Sequence, residues 1–127
     1  MRLLLDTNAV LWAVLDSPLL GVGARMSLKQ AEATYVSAAS VWEVRIKAAK
    51  GKLTLPKGFL AALAATGFKE LPVAWEHVDG VGGVELPHGD PFDRLLLVQA
   101  GQEQLILLTS DAVLLSAHPD ACLDARV

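Results

Sequence analysis

Five acidic side chains, Asp6, Glu43, Asp90, Asp93 and Asp111, adjoin apolar runs and have the most chemistry to offer in this chain. Carboxylates brought together repel one another and take up protons unless a cation lies between them. Mg²⁺ suits such a set, because it takes a few carboxylates, keeps several waters and accepts phosphate oxygens. One or two ions held this way activate water and stabilise the leaving oxygen of a phosphodiester. Each acid also has a plain structural reading. Asp90, with Asp93 three residues on, is patterned like a helix capping box. Asp111 after Thr109-Ser110 suits the first turn of a helix, and Glu43 with Lys47 makes an i,i+4 ion pair. Asp6 is the hardest to read that way, since it directly follows Leu3-Leu-Leu and a carboxylate there is costly without a partner. Repulsion at Asp6 also predicts that Asn in its place stabilises the metal-free chain. Residue types alone leave both a metal site and a set of separate structural carboxylates open.

The acids act together only if the elements gather them. Residues 2–5 read as a short buried strand ending at Asp6, and from Asn8 a helical pattern puts Leu11, Val14 and Leu15 on one face until Ser17-Pro18. A second helix is expected over 22–33 and a second strand over 34–37. Ser37 or Ser40 then caps a helix running to Lys50, where Gly51 ends it. Pro56 is expected to open a helix over 57–66, followed by a strand at 68–71 and a helix over 73–82. The segment 86–90, which contains His88, reads as loop. Pro91 at the first helical position, with Asp90 as N-cap, starts a helix that Gly101 is expected to stop. A fourth strand at 105–108, a short helix from Asp111 and a last strand near 121–123 complete the chain. Strands that alternate with helices and lack polar alternation predict a parallel sheet covered on both faces, and one α/β domain over residues 1–127. Ligands of such sheets lie at the carboxyl ends of the strands. Asp6 and Asp111 fall at that edge, Asp93 starts the helix before strand four, and Glu43 lies early on the helix after strand two.

Composition narrows the classes. A chain of 127 residues with 53% apolar side chains can bury a real core. No apolar run exceeds seven residues, which excludes a spanning helix, and the N-terminus does not read as a signal peptide. A cytoplasmic protein is therefore expected. The single cysteine, Cys122, reads as a buried apolar filler, and His77, His88 and His118 are too scattered to define a metal site. The net charge of −3 argues against a simple basic clamp for nucleic acid. Arg45, Lys47, Lys50, Lys52 and Lys57 nevertheless fall close together, either as a solvated helix face or as a local phosphate-binding patch. Trp12 lies off the apolar face of the first helix, which leaves core packing and a partner contact both open.

In order along the chain, Leu3-Leu-Leu-Asp-Thr-Asn8, Ser40-Val-Trp-Glu-Val44, Lys47 to Gly51, Asp90-Pro-Phe-Asp-Arg94 and Leu108-Thr-Ser-Asp111 resemble the motifs of the PIN domain, in particular VapC-type toxins of bacterial toxin–antitoxin pairs. The resemblance implies a PIN-like three-layer α/β/α sandwich with a parallel sheet of four to five strands, ordered 3-2-1-4-5. It implies a Mg²⁺ or Mn²⁺ site, endoribonuclease activity, inhibition by a cognate antitoxin and homodimerisation. Carried onto this sequence, Asp6, Asp93 and Glu43 match the metal ligands and Asp111 the more distant fourth acid. Asp90 matches a helix cap behind the ligands, while Asn8 and Thr109 match positions that orient acids or water. Arg94 is expected to make a plain salt bridge with an acid, with contact to substrate phosphate as the alternative. Arg45, Lys47, Lys50 and Lys52 are expected to meet RNA phosphates, and Trp12 to contribute to an antitoxin or dimer contact. After Asp111 the resemblance thins, because Leu115-Ser-Ala-His118 stands where relatives often carry an aromatic residue.

Two other classes compete with a nuclease. An aspartyl phosphotransferase wants a second Asp two positions after the first, and Asn8 stands there; a receiver domain wants paired acids near the first strand and a lysine after a late strand, and this sequence has neither. A non-catalytic PIN-like module that binds RNA or protein would keep the fold without turnover.

Overall fold

Leu3, Leu4 and Leu5 are fully buried because β1 (Arg2–Leu5) is the middle strand of a five-stranded parallel sheet ordered β3-β2-β1-β4-β5. The computed structural model describes residues 1–87 and 89–127. Around β1 lie β2 (Ala33–Ser37), β3 (Lys69–Leu71), β4 (Ile106–Thr109) and β5 (Cys122–Asp124). Strand register sorts the core into two layers. Leu5 stands abreast of Val36 and Leu108, and packs with Val10, Val44, Phe59 and Leu63 on one face. Leu4 stands abreast of Leu107, itself paired with Cys122, and packs with Leu96, Leu97 and Leu114 on the other. Each such leucine contributes about 1.5–3 kcal/mol by leaving water, which makes the Leu3-Leu-Leu run the anchor of both layers.

The first face is covered by α1 (Thr7–Val14), α2 (Val22–Gln30), α3 (Ala38–Ala49) and α4 (Phe59–Ala65), the second by α6 (Pro91–Glu103) and α7 (Ala112–Ala117). Between β3 and α6 runs the short α5 (Trp75–Gly80), extended by a 3₁₀ turn over Val81–Gly83, and clasped to α6 through Gln102 Nε2, which donates to the Glu76 carbonyl at 2.9 Å. Among the described residues no helix is long and apolar enough to cross a membrane.

The expected elements are all present, but several of their ends move. Helix α2 stops at Gln30 rather than 33, because Ala31 turns to extended backbone and Ala33 is already paired with Arg2. Pro56 does not open a helix; Gly58, at φ 75°, holds the chain left-handed until Phe59. Gly101 does not stop α6, which runs through it to Glu103 and ends where Gln104 turns left-handed at φ 59° and Leu105 N–H reaches back to the Ala100 carbonyl at 2.8 Å. The helix over 73–82 contracts to α5 and its 3₁₀ turn. Leu15, expected in the core, is exposed as the C-cap of α1. Ser37 rather than Ser40 caps α3, accepting from Ala39 N–H at 3.1 Å. The loop expected over 86–90 includes His88, which lies outside the described residues.

Candidate active site

Asp6 closes β1 and opens α1. Its N–H continues the sheet ladder to the Leu108 carbonyl at 2.9 Å, and its carboxylate then caps α1 by accepting from Ala9 N–H at 2.7 Å. The other oxygen accepts from Thr109 Oγ1 at 2.7 Å and Ser110 N–H at 3.0 Å, so adjacent strand ends fix the side chain from both sides. Burial pushes its pKa up, only partly countered by these three donors, and the charge of Glu43 pushes the same way.

Glu43 reaches the same place from the first half of α3. One oxygen accepts from Thr7 Oγ1 and the other pairs with Lys47 Nζ at 3.4 Å, which is the i,i+4 pair expected from spacing. Asp90 caps α6, accepting from Phe92 and Asp93 N–H at 2.9 and 3.2 Å, as expected of it. Asp93 follows in the first turn, half-buried. Its pKa is pushed up to about 8 by burial, then by the charges of Asp90 and Asp111, a hydrogen bond shared with Asp111, and the charge of Asp6. Asp111 caps α7, accepting from Val113 and Leu114 N–H at 2.8 and 3.1 Å. Structural and chemical readings therefore coincide at Asp6, Asp90 and Asp111, because a cap at the carboxyl edge of the sheet also faces the hollow there.

These acids line one polar hollow of about 360 Å³ with Thr7, Asn8, Lys47, Ser110 and Arg126. Asp6, Glu43, Asp93 and Asp111 are thus brought together from four separate stretches of chain. Asn8 Nδ2 donates to Ser110 Oγ at 3.2 Å, and Thr109 Oγ1 accepts from Asp111 N–H at 3.0 Å, so both orient their neighbours. Arg94 donates to the Val84 and Leu86 carbonyls at 2.6 and 3.4 Å and braces the segment before α6. Arg45 and Lys50 stand exposed on α3 and its end, and Lys52 exposed just beyond. Trp12 is half-buried against the first core layer, with the Arg126 guanidinium 5.8 Å over its ring.

An oxygen-only donor set suits a hard divalent cation. Among the described residues no three His, Cys, Asp or Glu side chains already stand as a metal-ligand cluster. Mg²⁺ needs only one or two direct carboxylates, with water and phosphate completing its shell, and such an ion would relieve the crowded charge that adds to burial in raising Asp93. Cys122 fits its role as filler: burial, then the charges of Asp6 and Asp111, push the thiol up to about 11.

Three contributors escaped the sequence reading. Thr7 was hidden beside the more conspicuous Asp6, Ser110 acts through its backbone N–H, and Arg126 arrives only because β5 ends at this edge.

A parallel 3-2-1-4-5 sheet with acids converging at the carboxyl edge of its central strands defines a PIN-like α/β fold. The PIN domain family model matches residues 3–118, and the chain belongs to that family. Among solved structures, a chain of VapBC2 from Rickettsia felis, bound to a DNA fragment from their promoter, aligns with TM-score 0.67 and 16% identity over 98% of each chain. A toxin–antitoxin complex from Klebsiella pneumoniae gives TM-score 0.68 and 17% identity over 96% of each. FitAcB from Neisseria gonorrhoeae gives 0.62 and 22% over 97% of each. At these identities the likeness speaks to the fold. No curated protein matches the chain in sequence.

Proposed function

We propose that the chain, acting as one domain over residues 1–127, is a divalent-metal-dependent endoribonuclease and the VapC-type toxin of a type II toxin–antitoxin pair in the cytoplasm. The observation that carries this reading is the convergence of Asp6, Glu43, Asp93 and Asp111 on one hollow, in a family whose members are generally nucleases. Asp6, Asp93 and Glu43 would hold Mg²⁺ or Mn²⁺, with Asp111 as a looser fourth acid. The bound ion would supply Lewis-acid chemistry for attack of water on an RNA phosphodiester.

The chain's own residues prepare that site. Thr109, Ser110 and Ala9 lock the Asp6 carboxylate in one orientation. Thr7 and Lys47 do the same for Glu43, and Lys47 offsets its charge. Asp93, raised to about 8 by burial and by the charges around it, holds a proton at its carboxyl near neutral pH and would have to lose it to hold a cation. Arg45, Lys47, Lys50 and Lys52 would meet flanking RNA phosphates. The Klebsiella neighbour's assembly as a toxin–antitoxin complex supports a cognate antitoxin here, with Trp12 as a candidate contact and a homodimer as the toxin's own state.

The test is incubation of the purified, antitoxin-free protein with tRNA and mRNA in Mg²⁺, Mn²⁺ or EDTA. Cleavage is expected only with a divalent ion, and Asp93→Asn should slow it by roughly a hundredfold or more, the scale of losing a preorganised electrostatic group. Tight RNA binding with no cleavage under any ion would make the chain a non-catalytic binding module.

A further inference from the structure

We propose that Trp42, held edge-on by Phe92, is a stacking platform for a nucleobase of single-stranded RNA beside the acidic hollow; this rests on the ribonuclease reading and extends it to how substrate is gripped. Trp42 lies on α3 and is 63% exposed, large for an indole. One edge of it is backed, its ring meeting that of Phe92 at 5.5 Å between centroids with the planes 68° apart. Each ring is the chain neighbour of a site acid, Trp42 of Glu43 and Phe92 of Asp93. The aromatic pair therefore bridges α3 and α6, the two helices that bring Glu43 and Asp93 to the hollow.

The surroundings favour nucleic acid. Ala38, Trp42, Arg45 and Ala49 form one exposed stripe along α3, in which small side chains leave the indole accessible and Arg45 stands one turn on. An accessible aromatic face with a neighbouring cation is how single strands are held without sequence reading, the base stacking and the phosphate meeting the charge. Duplex RNA keeps its bases within its own stack and offers none to such a platform. A two-fold contact with a second copy centred on this stripe would instead bring two carboxylate-lined hollows toward each other, like charge against like.

The test compares wild type, Trp42→Ala and Trp42→Phe. Fluorescence anisotropy in EDTA gives Kd for a labelled single-stranded RNA and its duplex, cleavage in Mg²⁺ gives KM and kcat, and sedimentation gives oligomeric state. Trp42→Ala should raise Kd and KM for the single strand by roughly 5- to 100-fold, the range for one base–aromatic stack. Its kcat should stay within about twofold, duplex binding should not change, and Trp42→Phe should recover most of the loss. Unchanged Kd and KM in Trp42→Ala alongside normal cleavage would overturn the platform and leave the nuclease standing. Trp42-dependent binding by a wild type that never cleaves would support the platform and overturn the nuclease. Loss of a dimer in Trp42→Ala, with RNA affinity restored at high protein concentration, would assign the face to a second copy and overturn the proposal.

Discussion

Asp6 and Asp93 bring the same carboxylate into the same hollow, yet replacement by Asn should treat them differently. Repulsion alone predicts that either substitution stabilises the metal-free protein. At Asp6 the amide keeps the oxygen that caps Ala9 but turns its NH₂ toward Thr109 and the Ser110 N–H, leaving a buried backbone donor unpaired. That loss costs about 1–3 kcal/mol and offsets the relief of charge. Asp93→Asn should therefore give the higher melting temperature of the two in EDTA; the reverse order would mean that repulsion outweighs the hydrogen bonds at Asp6. The pH dependence follows from Asp93, whose carboxyl is raised to about 8 from its ordinary value of 3.8. Between those values the folded chain holds a proton that the unfolded chain has lost, so this group's contribution to stability falls as pH rises from about 4 to 8. Urea midpoints measured in EDTA across that window should decline in the wild type and decline less in Asp93→Asn. Equal slopes would place the raised carboxyl elsewhere.

At the scale of elements, what the sequence disclosed and what it hid follow from where the information lies. The Leu3-Leu-Leu and Leu105-Ile-Leu-Leu runs announce buried parallel strands because both faces of such strands are apolar, and the acids that end or follow them announce the ligand edge. Helix ends were less legible, since pairing across the sheet decides them: Ala33 is claimed by Arg2, and Gln104 rather than Gly101 takes the left-handed position. The site was legible in its carboxylates but not in the groups that hold them, because a Ser110 backbone donor or an Arg126 delivered by β5 leaves no local signature. Gln104 itself yields a prediction. A side chain in the left-handed region costs roughly 1 kcal/mol relative to Gly, so Gln104→Gly should stabilise the protein by up to that amount with cleavage unchanged. No gain in urea titrations would mean that contacts of the Gln104 side chain compensate for its backbone. The junction of α2 with the end of the chain predicts the opposite sign. Gly21 donates to the Ala125 carbonyl at 2.9 Å, and a Cβ there would stand 2.4 Å from the Val127 carbonyl carbon. Gly21→Ala should therefore destabilise by about 1–3 kcal/mol through overpacking, read as a lower urea midpoint.

Across the whole molecule, a net charge of −3 conceals an uneven distribution, with acids drawn into the hollow and cations along α3 and beyond it. The hollow is lined from the end of β1 and the start of α1, from α3, from the start of α6, from the β4–α7 junction and from the residues after β5. A cation bound there would add ties between stretches that the sheet and the hydrogen bonds of Asp6, Thr7 and Asn8 already connect, so its effect should be on global unfolding rather than on one loop. Binding to the folded chain alone stabilises it by about 2.7 kcal/mol at a hundred times Kd. Because Asp93, as the proposed ligand, would have to lose its proton, that stabilisation should grow as pH rises toward about 8, and proton release should accompany binding near neutral pH. Thermal unfolding with Mg²⁺ and with EDTA at pH 6 and pH 8 measures both effects. The melting temperature should rise with Mg²⁺ more at the higher pH, and Asp93→Asn should lose most of the rise at either. Trp42→Ala, altered outside the acids, should keep it, which separates a failure to bind the ion from a failure to grip RNA. A wild type whose unfolding is the same in EDTA and throughout a Mg²⁺ titration would remove the cation from this site and with it the proposed chemistry.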